Sequence, residues 1–264
     1  MQVFLINLAR RPDRLRKMTE QLSRLGLTVQ PVVAIDAKQA ADAAIDRRFA
    51  PDGPLGPIPK GDKCCTLSHM RAWSMFLATG ESHAIVLEDD VALDPDAAAL
   101  LRDASWIPPA IGLLKIEHYG PDHQRVLLGA LTPTRGRRQI GRMRSRHTGA
   151  AAYILSREVA AQLLSWPERW PLPVDHMLFN PNNSPLSASL APHQLIPAIA
   201  RQSLAIGGRT DIDEWRADSR DFSWRRVKRK FVRTYYDLRL LPSQVASLAR
   251  READFVRVEA HPSY

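Results

Sequence analysis

Residues 84–93 read AIVLEDDVAL, and this stretch decides the fold that we expect for the chain. Its first four residues are apolar and uncharged, as in a strand that is buried on both faces of a parallel sheet. Three carboxylates follow directly, at Glu88, Asp89 and Asp90. Because side chains alternate along a strand, Glu88 and Asp90 should point to one side and Asp89 to the other. Ligands of α/β proteins bind just outside the carboxyl ends of strands, so the stretch predicts an α/β fold with a site at this acidic end.

The acidic end has two interpretations. Two carboxylates on one side of a strand end repel each other unless a cation or a ligand lies between them. Acidic residues also commonly end strands without any further role, in which case these three side chains would only meet water. Both interpretations stay open on this stretch alone.

The beginning of the chain predicts a strand, a helix and a second strand. Residues 3–6 (VFLI) are an apolar run, and Pro12 and Asp13 favour the first turn of a helix that ends at Gly26. Residues 29–35 predict the second strand. This order is typical of a nucleotide-binding α/β half, yet the chain contains neither a GxGxxG loop nor a P-loop. A bound nucleotide would therefore need another group to stabilise its phosphates.

Further elements lie on both sides of the acidic stretch. Asp62 is expected to cap a helix that contains His69, and a lone helical histidine is more often structural than catalytic. Ser156 is expected to cap a later helix, and Asp175 lies at a loop-to-helix junction, where capping is the alternative to a functional role. Three more strands are expected, and they lie at residues 111–116, 148–155 and 195–200. The small residues of the second of these indicate that another group packs close to its backbone.

Composition places the chain among ordinary globular proteins. Of its 264 residues, 45% are hydrophobic and 25% are charged. No apolar run is long enough to span a bilayer, and the first residues are typical of a strand rather than of a signal peptide. Cys64 and Cys65 are adjacent and cannot join distant parts of the fold. We therefore expect a cytoplasmic location.

The net charge of +9 is concentrated in two segments. Residues 216–264 contain twelve Lys and Arg against six Asp and Glu. Residues 135–146 contain six arginines and no acidic residue, and their two glycines predict an exposed loop. The rest of the chain is slightly acidic, which indicates anionic partners at two places rather than a generally basic surface.

The C-terminal segment predicts an amphipathic helix that begins at Trp224. One face of this helix is an apolar stripe, and arginines and lysines occupy the remaining faces. This arrangement is typical of a segment that lies on a membrane surface. The alternative is a helix that packs on the domain with its basic side in water. We therefore divide the chain into a domain of residues 1–215 and a basic, largely helical extension of residues 216–264. The apolar stripe consists of Val227, Phe231, Val232, Tyr235 and Leu238.

Six short motifs resemble those of glycosyltransferase family 25, which includes lipooligosaccharide galactosyltransferases. In chain order they are INLARRPDR at residues 6–14, Gly61 with Cys65 and Ser68-His69, LEDDV at residues 87–91, Gly149 with Ala152, Tyr153 and Ser156, PVD at residues 173–175, and Ala200 with Gln202. Six motifs in the family's order are far more specific than any one of them.

The resemblance implies a GT-A type α/β fold, with a Rossmann-like, mixed and mostly parallel sheet flanked by helices. It also implies a UDP-sugar donor, UDP-galactose or UDP-glucose, and inversion at the anomeric carbon. The acceptor would be a lipooligosaccharide, a lipopolysaccharide or another glycan, including a lipid-linked oligosaccharide. Because the chain lacks a P-loop, a divalent cation would stabilise the diphosphate leaving group, and carboxylate ligands suit Mn²⁺ or Mg²⁺.

The resemblance further implies roles for particular residues. Asp90 would contact the metal, and Glu88 would contact the ribose, the metal or a water bound to it. An inverting reaction needs a base for the acceptor hydroxyl, for which Asp175 is the first choice and Glu117 the second. The donor site would include Asn7, Arg11, Asp13, Glu88, Asp89, His69 and Gln202, of which His69 and Gln202 have no assigned role.

Two other functions fit parts of the sequence. A metal-dependent nucleotidyltransferase could use the same fold and carboxylates, but it would release pyrophosphate rather than UDP. A protein without enzymatic activity could bind membranes or nucleic acid through the basic helix. The six motifs count against the second alternative, and without a nucleic-acid-binding motif we do not expect nucleic acid as a partner. We expect a protein that attaches peripherally to the inner face of the cytoplasmic membrane.

Overall fold

The computed structural model describes residues 1–121, 123–202 and 224–260. The helices are α1 (Pro12–Arg24), α2 (Asp42–Asp46), α3 (Lys60–Leu77), α4 (Ala97–Leu101), α5 (Arg157–Leu164), α6 (Val174–Phe179), α7 (Pro185–Leu190) and α8 (Trp224–Ala249). The first strands are β1 (Gln2–Asn7), β2 (Val29–Val33), β3 (His83–Glu88), β4 (Val91–Leu93), β5 (Leu113–Lys115) and β6 (Glu117–His118). The later ones are β7 (Arg125–Gly129), β8 (Thr132–Pro133), β9 (Gln139–Arg142), β10 (Ala152–Ser156), β11 (His193–Ile196), β12 (Ala200–Gln202) and β13 (Ala253–Arg257).

The main sheet has eight strands in the order β2-β1-β3-β10-β5-β11-β9-β8. Strand β1 pairs in parallel with β2 and β3, and β5 pairs in parallel with β11. Strands β10 and β9 run against their neighbours, so the other six strands share one direction. The predicted α/β architecture, with a mixed and mostly parallel sheet, is confirmed, and it is consistent with the GT-A type.

Apolar side chains cover both faces of this sheet. Along β3, Ala84 and Val86 belong to the hydrophobic cluster that contains Trp73 of α3. Ile85 and Leu87 belong to the cluster that contains Leu22 of α1. All four strand residues are fully buried, which explains why this run of the sequence carries no charge. Burying one large apolar side chain contributes roughly 1.5–3 kcal/mol, so both helix layers hold the strand firmly.

The strand directions bring several polar segments to one edge of the sheet. Strands β1, β2, β3 and β5 all end at this edge, and β10 begins there because it runs antiparallel to β3. A second sheet, β4-β12-β6, extends the same edge. In it, Gln202 of β12 lies opposite Val91 of β4, so the side chain of Gln202 reaches the acidic end of β3.

The arginine-rich segment differs from its prediction as an exposed loop. Residues 139–142 form β9, which pairs with β11 inside the main sheet. Arg138 is buried, and its Nη2 atom donates to Oδ2 of Asp94 over 3.2 Å. The prediction failed because β11 and Asp94, which hold β9 and Arg138, are far away in the sequence and the segment itself has no strand periodicity.

Two predicted helix caps have different outcomes. The Ser156 cap of α5 is confirmed, since its hydroxyl oxygen accepts from the amide of Val159. The Asp62 cap is wrong, because α3 begins two residues earlier, at Lys60, after Pro59. Asp62 instead lies in the first turn, where a carboxylate favours the positive end of the helix dipole.

The C-terminal helix α8 spans Trp224–Ala249, within the segment where a helix is expected. The expected boundary between residues 215 and 216 lies outside the described residues. After the helix, β13 pairs antiparallel with β7, and Nε2 of Gln244 donates to the carbonyl oxygen of Arg144 over 2.8 Å. In the described parts of the chain, no helix combines the length and the hydrophobicity that crossing a bilayer requires.

Candidate active site

A cleft of about 570 Å³ lies at the edge of the sheet where β1, β2, β3 and β5 end. The start of β10 and the beginnings of α3 and α6 complete its walls. Among the described residues, six carboxylates line it against three arginines. These charged lining residues are Asp36, Asp62, Glu88, Asp89, Asp90, Asp175, Arg10, Arg14 and Arg146.

Asp89 is held by two donors from the N-terminal motif. Its Oδ2 accepts from Nδ2 of Asn7 over 2.6 Å, and its Oδ1 accepts from Nη1 of Arg14 over 3.1 Å. Burial raises the pKa of Asp89, and the contact with Arg14 opposes that shift. Since each oxygen already has a protein partner, Asp89 ties the end of β1 and the start of α1 to the acidic turn.

Asp90 has a buried oxygen without a partner. Its Oδ2 accepts from Nε2 of Gln202 over 3.0 Å, but no described residue donates a hydrogen bond to its Oδ1. Burial and then the negative charge of Glu88 raise the pKa of Asp90 to about 7. An uncompensated buried carboxylate oxygen is costly, so this geometry suits a cation that would contact Oδ1.

Glu88 lines the cleft, and His69 lies behind it. The Nε2 atom of His69 is 3.2 Å from Oε1 of Glu88, and Sγ of Cys65 is 3.7 Å from the same oxygen. His69 is fully buried and does not line the cleft. Burial and the charge of Glu88 raise the pKa of the Cys65 thiol well above 9.0, so Cys65 is a neutral donor here.

The N-terminal motif reaches the cleft through different residues from those expected of it. Arg11 donates to Asp13 at the exposed start of α1, and this contact lowers the pKa of Asp13 to about 2. Neither of them is in the cleft lining, and Asn7 is buried and does not line the cleft either. Arg10 and Arg14 do line the cleft, which sequence reasoning missed although both belong to the INLARRPDR motif.

Asp175 lies in the wall formed by α6. Pro173 occupies the N-cap position, so the capping alternative for Asp175 is wrong. Its Oδ1 accepts from the amide of His176 over 2.8 Å, and its Oδ2 accepts from the amide of Gly149 over 3.4 Å. Both contacts orient the carboxylate within the cleft lining.

Glu117 is fully buried and is not in the cleft lining. Its Oε1 accepts from Nζ of Lys115 and from the amide of Ala151. Burial raises the pKa of Glu117 and lowers that of Lys115, while the contact between them opposes both shifts. Glu117 is therefore a buried partner of Lys115 outside the described lining of the cleft.

Gly149 and Tyr119 form a tight corner of the cleft. Gly149 has a φ of +91°, and a Cβ atom there would lie 2.7 Å from the Tyr119 ring. The prediction that another group packs close to this backbone is therefore confirmed. His147 accepts from the amide of Tyr119, and burial followed by the charge of Lys115 lowers its pKa to about 3. His147 thus stays neutral and holds the Tyr119 segment in place.

Comparison with known proteins identifies the family. The family model described as "Glycosyltransferase family 25 (LPS biosynthesis protein)" matches residues 1–178. The chain is 36% identical over 117 residues to a "Glycosyltransferase 25 family member" of Aedes aegypti, a match that covers 40% of this chain and 19% of that one.

Two further relatives cover more of the chain. "Lacto-N-neotetraose biosynthesis glycosyltransferase LgtB" of Neisseria gonorrhoeae is 28% identical, over 77% of this chain and 75% of that one. "Probable inactive glycosyltransferase 25 family member 3" of Bos taurus is 29% identical, over 67% of this chain and 31% of that one. The chain thus spans less than a third of the mosquito and bovine proteins. Because the family model covers more than half of the chain, including the acidic turn and Asp175, the chain belongs to glycosyltransferase family 25.

Proposed function

We propose that this protein transfers a hexose, galactose or glucose, from a UDP-sugar to a lipooligosaccharide, a lipopolysaccharide or another glycan, with inversion. Family membership supports glycosyl transfer, and the relative LgtB is named for the biosynthesis of lacto-N-neotetraose. The observation that carries the proposal is the buried, unpartnered Oδ1 of Asp90 in a cleft that also contains Glu88 and Asp175.

The charge of the cleft supports a metal cofactor. Six carboxylates face three arginines, and two of those arginines already pair with Asp36 and Asp89. A diphosphate would be repelled by this surface unless a divalent cation accompanied it. Asp90 and Glu88 would hold Mn²⁺ or Mg²⁺, since both offer oxygen ligands. When bound, the cation would stabilise the negative charge that develops on the diphosphate.

The remaining roles belong to groups of the chain itself. Asp175 accepts the proton of the acceptor hydroxyl, because it lines the cleft from α6, apart from the acidic turn, and belongs to the PVD motif. Gln202 orients Asp90 through the hydrogen bond to Oδ2, and Asn7 and Arg14 fix Asp89. Arg10 and Arg14 line the part of the cleft next to β1 and β2 and bind the donor.

A screen of donor substrates tests the proposal. The protein is incubated with UDP-galactose, UDP-glucose and UDP-N-acetylhexosamines, with Mn²⁺ or with EDTA, and the release of UDP is measured. We expect metal-dependent release of UDP from one hexose donor. In a second assay, with a truncated lipooligosaccharide present, the hexose of that donor should be transferred to it. Release of pyrophosphate from a nucleoside triphosphate and a sugar phosphate would instead show a nucleotidyltransferase. Hydrolysis at equal rates in EDTA would contradict the metal role.

We further propose that α8 attaches the protein peripherally to an anionic membrane on the cytoplasmic side. Apolar side chains along this helix are exposed, including Phe231 at 72% and Tyr235 at 63%. The sequence places five basic residues between positions 225 and 230, next to this stripe. Aromatic anchors beside basic residues match the interface of a bilayer that contains anionic lipids. A lipid-linked acceptor would lie at the same surface.

Vesicle binding tests the membrane proposal. Replacing Arg225, Arg226, Lys228, Arg229 and Lys230 by Glu should abolish co-sedimentation with vesicles that contain phosphatidylglycerol, because each basic residue contributes about 1 kcal/mol at such a surface. Transfer to a soluble acceptor should be unchanged. The matched control reverses three exposed basic residues of α1, Arg16, Lys17 and Arg24, and should still bind. Equal binding of the wild type to neutral vesicles, or no binding to anionic vesicles, would show that the basic residues of α8 do not attach the protein to an anionic membrane.

A further inference from the structure

A buried series of hydrogen bonds runs from α3 to the floor of the cleft. The indole Nε1 of Trp73 is 2.8 Å from the hydroxyl oxygen of Tyr153, which is 2.9 Å from Nδ1 of His69. On the other side of the ring, Nε2 of His69 is 3.2 Å from Oε1 of Glu88. Trp73, Tyr153 and His69 are fully buried, whereas the side chain of Glu88 is 20% exposed. The series therefore connects the core to a cleft carboxylate.

The direction of each hydrogen bond follows from the chemistry of these groups. An indole N–H can only donate, so the oxygen of Tyr153 accepts from Trp73. Burial raises the pKa of Tyr153 well above 10.0, so the phenol keeps its own proton. The other hydrogen-bond partner of that oxygen among the described residues is Nδ1 of His69, so the phenol donates there. The His69 proton must then lie on Nε2, which faces Glu88.

We propose that Tyr153 and His69 are positioning residues for Glu88: the phenol fixes the histidine tautomer, and Nε2–H then holds Oε1 so that Oε2 remains for the cleft. This inference rests on the proposed role of Glu88 in binding the metal. The thiol of Cys65 adds a second, weaker donor to the same oxygen. A ligand oxygen that is held in advance by such outer partners binds a cation more tightly, because less ordering is needed on binding.

The same atoms suggest a rival arrangement. Ligand atoms of Cys65, His69 and Glu88 all lie within 4.8 Å of one another, as in a small metal site. A metal on Nε2 of His69 would force the ring proton onto Nδ1, which would then donate to Tyr153. The phenol would receive two donors, and its own proton would have no acceptor among the described residues. The hydrogen-bonded arrangement satisfies every group, so we favour it over a metal on His69.

Tyr153→Phe removes only the hydroxyl group and tests the inference directly. In the wild type, the ¹⁵N shifts of His69 should show a proton on Nε2. In the variant a fraction of the rings should carry the proton on Nδ1, because Glu88 alone then favours Nε2–H. The affinity for Mn²⁺ alone, measured on the whole protein by electron paramagnetic resonance of the unbound ion, should fall about 10-fold to 100-fold. Ser187→Ala is the matched control, because it also removes a buried hydrogen bond, from a hydroxyl to the carbonyl of Leu178. It should change neither the tautomer of His69 nor the affinity for Mn²⁺.

A double variant shows whether Tyr153 acts through His69. If it does, Tyr153→Phe should weaken Mn²⁺ binding no further when His69→Ala is already present. A wild-type proton on Nδ1, zinc bound at Cys65 and His69, or equal Mn²⁺ affinity of the wild type and Tyr153→Phe would each overturn the inference. If the wild type does not bind Mn²⁺ at all, the proposed metal role fails, and the tautomer of His69 in the wild type and in Tyr153→Phe then decides the positioning role.

Discussion

Asp90→Asn is expected to abolish the Mn²⁺-dependent binding of UDP and to lower turnover by about 10³-fold or more. The variant keeps an oxygen that can accept from Gln202, but it loses the negative charge whose Oδ1 is buried without a partner. A bound cation supplies several kcal/mol of stabilisation to developing charge, which corresponds to a loss of this size. The measurements are calorimetric titration with UDP and Mn²⁺, and the rate of UDP release.

The stability of the same variant separates loss of function from loss of fold. Between pH 3.8 and about 7 the folded protein holds the Asp90 proton that the unfolded chain has released. This group therefore destabilises the fold increasingly as the pH rises through that window, and by a constant amount above it. Because Asn has no charge, metal-free Asp90→Asn should melt no lower than metal-free wild type at pH 7.5. Any excess of its melting temperature over that of the wild type should shrink towards pH 4.

Asp96→Asn is the matched control for Asp90→Asn. It makes the same change at an exposed residue just beyond the acidic turn, outside the cleft lining. It should leave UDP binding, metal dependence and turnover unchanged. Full activity of Asp90→Asn, or of the wild type in EDTA, would contradict the proposed role of Asp90.

The layers of the fold could be predicted from local sequence because burial imposes a pattern on each element. The uncharged run before Glu88 is buried on both faces, and the strand–helix–strand order at the N-terminus gives β1, α1 and β2. Strands β7, β9 and β13 were not predicted. Each depends on a partner that is distant in the chain, and β13 is exposed at three of its five residues, so apolar alternation does not reveal it.

The candidate site was also predictable from the sequence only in part. Glu88 and Asp90 lie at the cleft because parallel strands end at one edge of the sheet, and Asp175, which the PVD motif singled out, reaches the same cleft from α6. Sequence reasoning could not assign the contacts that distinguish these residues. Asp89 and Asp90 are neighbours, yet one is held by Asn7 and Arg14 while the other has an unpartnered oxygen. That difference arises from the packing of α1 and β12 around the turn, which no local pattern encodes.

Glu117→Gln is expected to lower the stability of the fold, and this effect distinguishes Glu117 from Asp175, the other candidate base. The Glu117 carboxylate accepts from Lys115 in a fully buried pair, next to the amide of Ala151. Removing the charge of Glu117 leaves Lys115 buried without its counter-charge, a change that commonly costs about 3–5 kcal/mol of stability. A lower activity of this variant would therefore follow its lower melting temperature.

Asp175→Asn should instead separate binding from chemistry. The Asn side chain keeps an oxygen that can accept from the amide of His176, so α6 and the cleft wall should be retained. The variant loses the basic group that we propose for the acceptor hydroxyl. We expect kcat to fall by about 10²-fold or more, the usual scale for general-base catalysis, with the Kd for UDP and Mn²⁺ unchanged.

The outcome of Asp175→Asn also decides which side of the cleft this residue serves. A base is needed only when the acceptor hydroxyl attacks, so the variant should still bind the donor and should melt like the wild type. Asp175 lies on α6 and hydrogen-bonds to the amides of His176 and Gly149, whereas the acidic turn follows β3. If Asp175→Asn lost UDP binding while retaining turnover at saturating donor, Asp175 would belong to the donor site, and another group would have to accept the proton.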